Sequence, residues 1–121
     1  MNFIIDCQIF PFDIMVHFGK RKELYKELVR FHLLKNEINN IKNASFKNRS
    51  IMFSGGQTLL YMEKQPATLN DLAILQHEIF HCVCFILDRA GVKYSKKSDE
   101  VFAYFIQFIT RKIYERIKVI S

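Results

Sequence analysis

Five residues constrain this chain more than any others: His77-Glu78-Ile79-Phe80-His81, set inside a long apolar segment over residues 69–90. Residues four apart on a helix share a face one turn up, so both imidazoles can reach a single metal ion. Glu78 lies about 100° round the helix from His77, at the rim of that face. From there a carboxylate can reach a water on the ion without being a ligand itself. Two rings that fix a metal and a base beside them that deprotonates its water are the working parts of the zinc-hydrolase helix motif. The competing reading is a buried helix that carries two satisfied histidines.

The ends of that helix are marked. Thr68 and Asp71 have the spacing of a capping box, with Asp in place of Glu, and Gly91 is a natural C′ residue. Leu72, Leu75, Ile79, Val83 and Ile86 fall on one side, while Phe80, Phe85 and Leu87 fall elsewhere. A helix apolar nearly all round is expected at the centre of a domain. Histidine and glutamate side chains there need partners or a metal, because unpaired buried polar groups are costly.

The rest of the chain supplies a sheet and two more helices. Residues 3–18 read as strand, rich in Ile, Phe and Val; Pro11 splits them into two short segments or one bent one, and Gly19 ends them. Residues 20–39 read as one amphipathic helix with Leu24, Leu28, Phe31, Leu34 (or Lys35) and Ile38 at helical spacing, fraying at Asn39-Asn40. His32, alone on that mostly polar helix, reads as a surface residue. Residues 45–53 read as a strand with Phe46, Ile51 and Phe53 pointing inward. Gly55-Gly56 signals a two-residue hairpin, and residues 58–63 form the partner strand. After the central helix and a basic loop over residues 93–97, Ser98 caps a last helix running to about Val119, with Asp99 and Glu100 in its first turn. The fold class is α+β: a small mixed or antiparallel sheet packed against the motif helix and two further helices, one domain over residues 1–121.

Composition narrows the setting. Half of the 121 residues are apolar, including 12 Phe and 5 Tyr, so a small core is possible. The net charge of +6 comes from Lys and Arg concentrated in residues 20–49 and 111–118. No aromatic–basic interleaving accompanies them, so they read as solvated helix faces rather than a nucleic-acid interface. The three cysteines, Cys7, Cys82 and Cys84, are an odd number without framework spacing and fit a reducing compartment. The N-terminus lacks a positive leader and has an acid at Asp6, and the apolar run over residues 72–87 is too short to span a bilayer. A soluble, cytoplasmic protein without membrane partners is the expectation.

Two histidines leave a tetrahedral zinc site incomplete, since catalytic sites use three protein ligands and a water. Asp88 and Cys84 lie about 10 Å along the helix from His81 and His77 respectively and cannot close the set; Cys84 reads as apolar packing below the site. The start of the last helix remains, if that helix turns back antiparallel. Glu100 is the expected ligand and Asp99 the fallback. Glu100 shares a face with Tyr104, Gln107 and Arg111, a polar stripe on an otherwise apolar helix; the plainer role for Glu100 is a first-turn acid facing the helix dipole.

His77-Glu78-x-x-His81 followed nineteen positions on by Glu100 resembles the gluzincin type of zinc metallopeptidase, in which a Glu on the following helix completes the site. Leu75-x-His77-Glu78-x-x-His81, Ile86-Leu87, Gly91 and Asp99-Glu100-x-x-Ala103-Tyr104 are similar to small single-domain metallopeptidase-like proteins of bacteriophages. The resemblance rests on specific residues from Thr58 to about Tyr114 and on element order before that. Larger gluzincins carry an acidic residue a turn beyond their Glu ligand; Tyr104 stands there in this chain. The resemblance implies a minimal zincin that hydrolyses peptide bonds in a peptide or protein substrate. It also implies that zinc is held by His77, His81 and Glu100, that Glu78 is the general base, and that Tyr104 or Arg111 helps to hold the oxyanion. The substrate strand is expected to add to residues 58–63, with His17 a further candidate to line the cleft. Two other readings stand beside this one: a non-catalytic, metal-stabilised phage structural, assembly or host-interaction protein, and a basic nucleic-acid binder.

Overall fold

In the computed structural model, which describes residues 1–8, 10, 12–31 and 33–117, a four-stranded mixed sheet carries helices on both faces. The chain is α+β, as its pattern implies. Strands β1 (Asn2–Ile5) and β2 (Ile14–Phe18) pair antiparallel, and β3 (Asn48–Met52) pairs antiparallel with β4 (Thr58–Met62). The two hairpins join through a parallel β2–β4 pairing, so the strand order is β1-β2-β4-β3. Every residue of β2 and β4 is buried. That explains their near-continuous apolar sequences: a strand covered on both faces has no polar side to alternate with.

Strand periodicity divides the core in two. Ile14, Val16, Phe18, Leu60 and Met62 face the long helices α3 (Leu69–Arg89) and α4 (Asp99–Ile117). Met15, Leu59 and Tyr61 face the other way, onto Leu24 and Leu28 of α1 (Arg21–Leu28) and Ile41 of α2 (Lys35–Asn43). The single helix expected over residues 20–39 is thus two. α1 ends in a 3₁₀ turn at Val29–Phe31, and Leu34 is extended (φ −66°, ψ 144°) as the N-cap of α2. An unbroken helix would run off the sheet; the break returns Ile41 to the cluster that holds Leu24 and Leu28. The expected fraying at Asn39-Asn40 does not occur, and α2 continues to Asn43.

The β3–β4 turn also differs from its expectation. Phe53 and Gln57 close it (Phe53 N–H to Gln57 O, 2.8 Å), and Gly56 N–H donates to Phe53 O at 2.9 Å. Gly56 alone of the glycine pair has positive φ (95°). This is a three-residue loop with a left-handed last residue rather than a two-residue hairpin.

α3 keeps its expected ends. Thr68 Oγ1 accepts from Asp71 N–H at 3.1 Å, and the Asp71 carboxylate accepts from Thr68 N–H at 3.1 Å and from Ala67 N–H at 3.0 Å. These donors hold the Asp71 carboxyl below its usual range. α4 runs antiparallel beside α3: Gln76 Nε2 donates to Thr110 Oγ1 (3.3 Å) and Tyr114 Oη (3.4 Å), while Cys84, Phe85 and Asp88 share a cavity with Phe102. No helix among the described residues is long and apolar enough to cross a membrane. The expectations attached to Pro11, His32 and the end of the last helix at Lys118 and Val119 fall outside the described residues.

Candidate metal centre

α3 lays its apolar side on the sheet through Leu75, Ile79, Val83 and Ile86, all fully buried. Half a turn round, His77 and His81 emerge on the face turned away from the core, and both are exposed. The helix is therefore not covered all round, as its composition suggested; one flank opens to solvent and carries the histidines. Their Nε2 atoms lie 3.0 Å apart, with the ring centroids at 4.7 Å and the planes at 78°. The His81 ring stacks on Phe85 (6.2 Å, 19°), and Phe80 beside them is 47% exposed.

The donor set fits a metal at these two atoms. Imidazole nitrogens bound to a tetrahedral zinc at 2.0–2.1 Å sit about 3.3 Å apart, close to the spacing that this pair already has. Neutral imidazole is the usual ligand form for zinc. The exposed rings need no burial cost repaid before binding.

Glu78 points to the flank of α3 that meets β3, and it is buried (7% exposed). Ser50 Oγ lies 2.7 Å from Glu78 Oε1 and 2.9 Å from the Glu78 backbone oxygen. A serine has a single hydroxyl proton, so the shorter contact to the carboxylate takes the larger share of it. Ser50 pairs with Leu60 in the β3–β4 register, which turns its side chain to the α3 face of the sheet. Sequence reasoning missed Ser50. The available signal was strand alternation, which puts it on the face opposite Ile51.

The remaining candidates lie elsewhere. The contacts of Gln76 with Thr110 and Tyr114 and of Cys84 to Asp88 with Phe102 set the α3–α4 register, which puts His81 level with residues 105–109 of α4. Glu100 then sits roughly 8–14 Å further along the axis, beside the foot of α3. Its stripe with Tyr104, Gln107 and Arg111 is exposed, on the side of α4 opposite the buried Phe102, Ile109 and Ile113. The physical reason is that α4 lies alongside α3 on one sheet face rather than crossing under the histidines. Asp99, also exposed, shares that axial level. Tyr104 is 67% exposed and lines a cavity of about 350 Å³ with Cys7, Gln8, Phe10 and Phe105, away from the histidines. Among the described residues, no group of three or more His, Cys, Asp and Glu is placed to hold one ion. The structure brings His77 and His81 together, with Glu78 at their flank; it does not bring Glu100 to them.

His17 does not line this face. It is buried in β2 on the α1 side, stacked on Tyr61 (6.0 Å), with Nδ1 2.8 Å from Asn2 Oδ1 and Nε2 without a partner. Burial, followed by the nearby N-terminal ammonium, holds its pKa below the ordinary histidine value. All three cysteines are free. Burial raises Cys7 and Cys82 to about 12 and raises Cys84 as well, so none is poised as a thiolate. The substrate strand expected at residues 58–63 is also corrected: β4 is paired on both sides, and the free edge next to α3 belongs to β3. No family model matches the chain, and neither the curated proteins nor the solved structures provide a match.

Proposed function

We propose that this chain is a zinc-dependent metallopeptidase of the HExxH type, in which His77 and His81 hold the ion and Glu78 is the general base. The observation that supports it is the convergence of the two Nε2 atoms to 3.0 Å on the open face of a helix whose next residue, Glu78, is buried and held by Ser50. Zinc supplies, when bound, a Lewis acid and a water acidified towards neutral pH. Glu78 takes a proton at the carboxylate oxygen that Ser50 leaves free, and later returns it to the leaving amine. β3, the edge strand that carries Ser50, offers unpaired backbone groups to an extended peptide, and this peptide or protein substrate runs past Glu78. A cytoplasmic setting goes with three free cysteines in this reading.

The separation of Glu100 from the histidines favours a second reading, a non-catalytic metal-binding module of a phage structural, assembly or host-interaction kind. Glu78→Gln decides between the two. In the first, wild type cleaves a peptide library and the variant loses cleavage while keeping fold and zinc content. In the second, neither protein cleaves and both bind zinc.

A further inference from the structure

A single copy of the chain offers two nitrogens to an ion that takes four ligands. Among the described residues no third His, Cys, Asp or Glu joins them in a group placed to hold one ion. The face that carries them repeats. Ile74, His77, His81, Cys84 and Asp88 follow one another at alternating steps of three and four, the spacing of a helix-pairing seam; His77, His81 and Asp88 are exposed, while Ile74 and Cys84 are partly buried at the margin of the core. The sheet, β3 and α4 cover the other sides of the helix, leaving this one open.

We propose that the ion is shared between two copies of this chain, each giving His77 and His81 from antiparallel α3 helices. A two-fold axis level with residue 79 sets His77 of one copy opposite His81 of the other. The same axis brings Ile74 against the second copy's Cys84 and Ala73 against its Phe85, so the ion is flanked by apolar pairs. Asn70 and Asp88 meet at the ends. Charge agrees with this placement. In a chain of net charge +6, the proposed seam carries no Lys or Arg, and its one charged residue, Asp88, is acidic and exposed, so a dication meets no like charge there. One helix crossing another buries far less than the roughly 1,000 Å² of a stable interface, so the pair forms with the ion and separates without it. Four imidazoles fill the coordination sphere. The joined pair therefore has no coordination place for a catalytic water. The inference rests on the metal-binding part of the function proposed above, not on catalysis.

The test adds zinc to the metal-free full chain and follows mass and metal content together, by sedimentation velocity and native mass spectrometry. One ion per two chains is expected, at twice the 14.4 kDa mass of the chain, reversed by a chelator. Cobalt in place of zinc is expected to show the visible bands of a tetrahedral nitrogen site. His77→Ala and His81→Ala, both at exposed positions, should stay folded by circular dichroism and lose pairing. Ala73→Arg keeps both ligands and should lose pairing through the blocked seam. One ion per chain with no change in mass overturns the sharing and leaves the metal reading standing. A pair that survives chelation or both His variants also overturns it. A chain that binds no zinc at any mass removes both.

Discussion

Glu78 is a carboxylate with 7% exposure and one hydroxyl within reach, so its environment turns on Ser50. Ser50→Ala removes that donor and leaves a buried acceptor short of a partner, which costs about 1–3 kcal/mol. Thermal melting of the variant beside wild type measures it. His17 sets a second expectation. Its folded pKa lies below its unfolded value, so the unfolded chain binds the proton more readily. Stability from this group is therefore complete above about pH 6.5 and falls as the pH drops below that value towards the folded pKa. Urea midpoints measured between pH 8 and pH 5 should fall in wild type and fall less in His17→Gln. Histidine identity alone did not separate these roles. His77 and His81 differ from His17 by helix face and strand face, and the first pattern is visible in sequence while the second depends on which sheet face each helix covers.

At the scale of elements, local chemistry was legible where a motif carries its own geometry. The Thr68–Asp71 box fixed one end of α3 and Gly91, with φ 84°, lies past the other. Thr68→Ala should cost about 1 kcal/mol and free the first turn to exchange amide hydrogens faster. Elements whose limits come from packing were not legible. The break between α1 and α2 exists because Ile41 must reach the cluster of Leu24 and Leu28, and spacing within residues 20–39 has no knowledge of that. The glycine pair announced a turn but not its length. Gly56 is fixed by its positive φ and by the Phe12 ring, 2.5 Å from where a Cβ would sit. Gly56→Ala is accordingly expected to lower stability by about 1–2 kcal/mol in chemical denaturation, whereas no positive φ burdens Gly55.

For the whole molecule, the α+β class followed from short Ile-, Phe- and Val-rich runs bounded by turn residues and from two longer segments with helical spacing and marked starts. Strand order did not follow. The parallel β2–β4 pairing makes β4 central and β3 the edge, reversing which strand can receive a peptide. The surroundings of Glu100 did not follow either: a stripe of Glu100, Tyr104, Gln107 and Arg111 states that a helix side is polar, not what it faces. The account as a whole rests on His77 and His81 holding a metal. Elemental analysis of zinc-saturated, desalted protein, wild type beside His77→Ala/His81→Ala and Glu78→Gln, tests this most directly. The account predicts zinc retained by wild type and Glu78→Gln and lost from the double variant. Equal zinc in wild type and the double variant, or none in wild type, would contradict it.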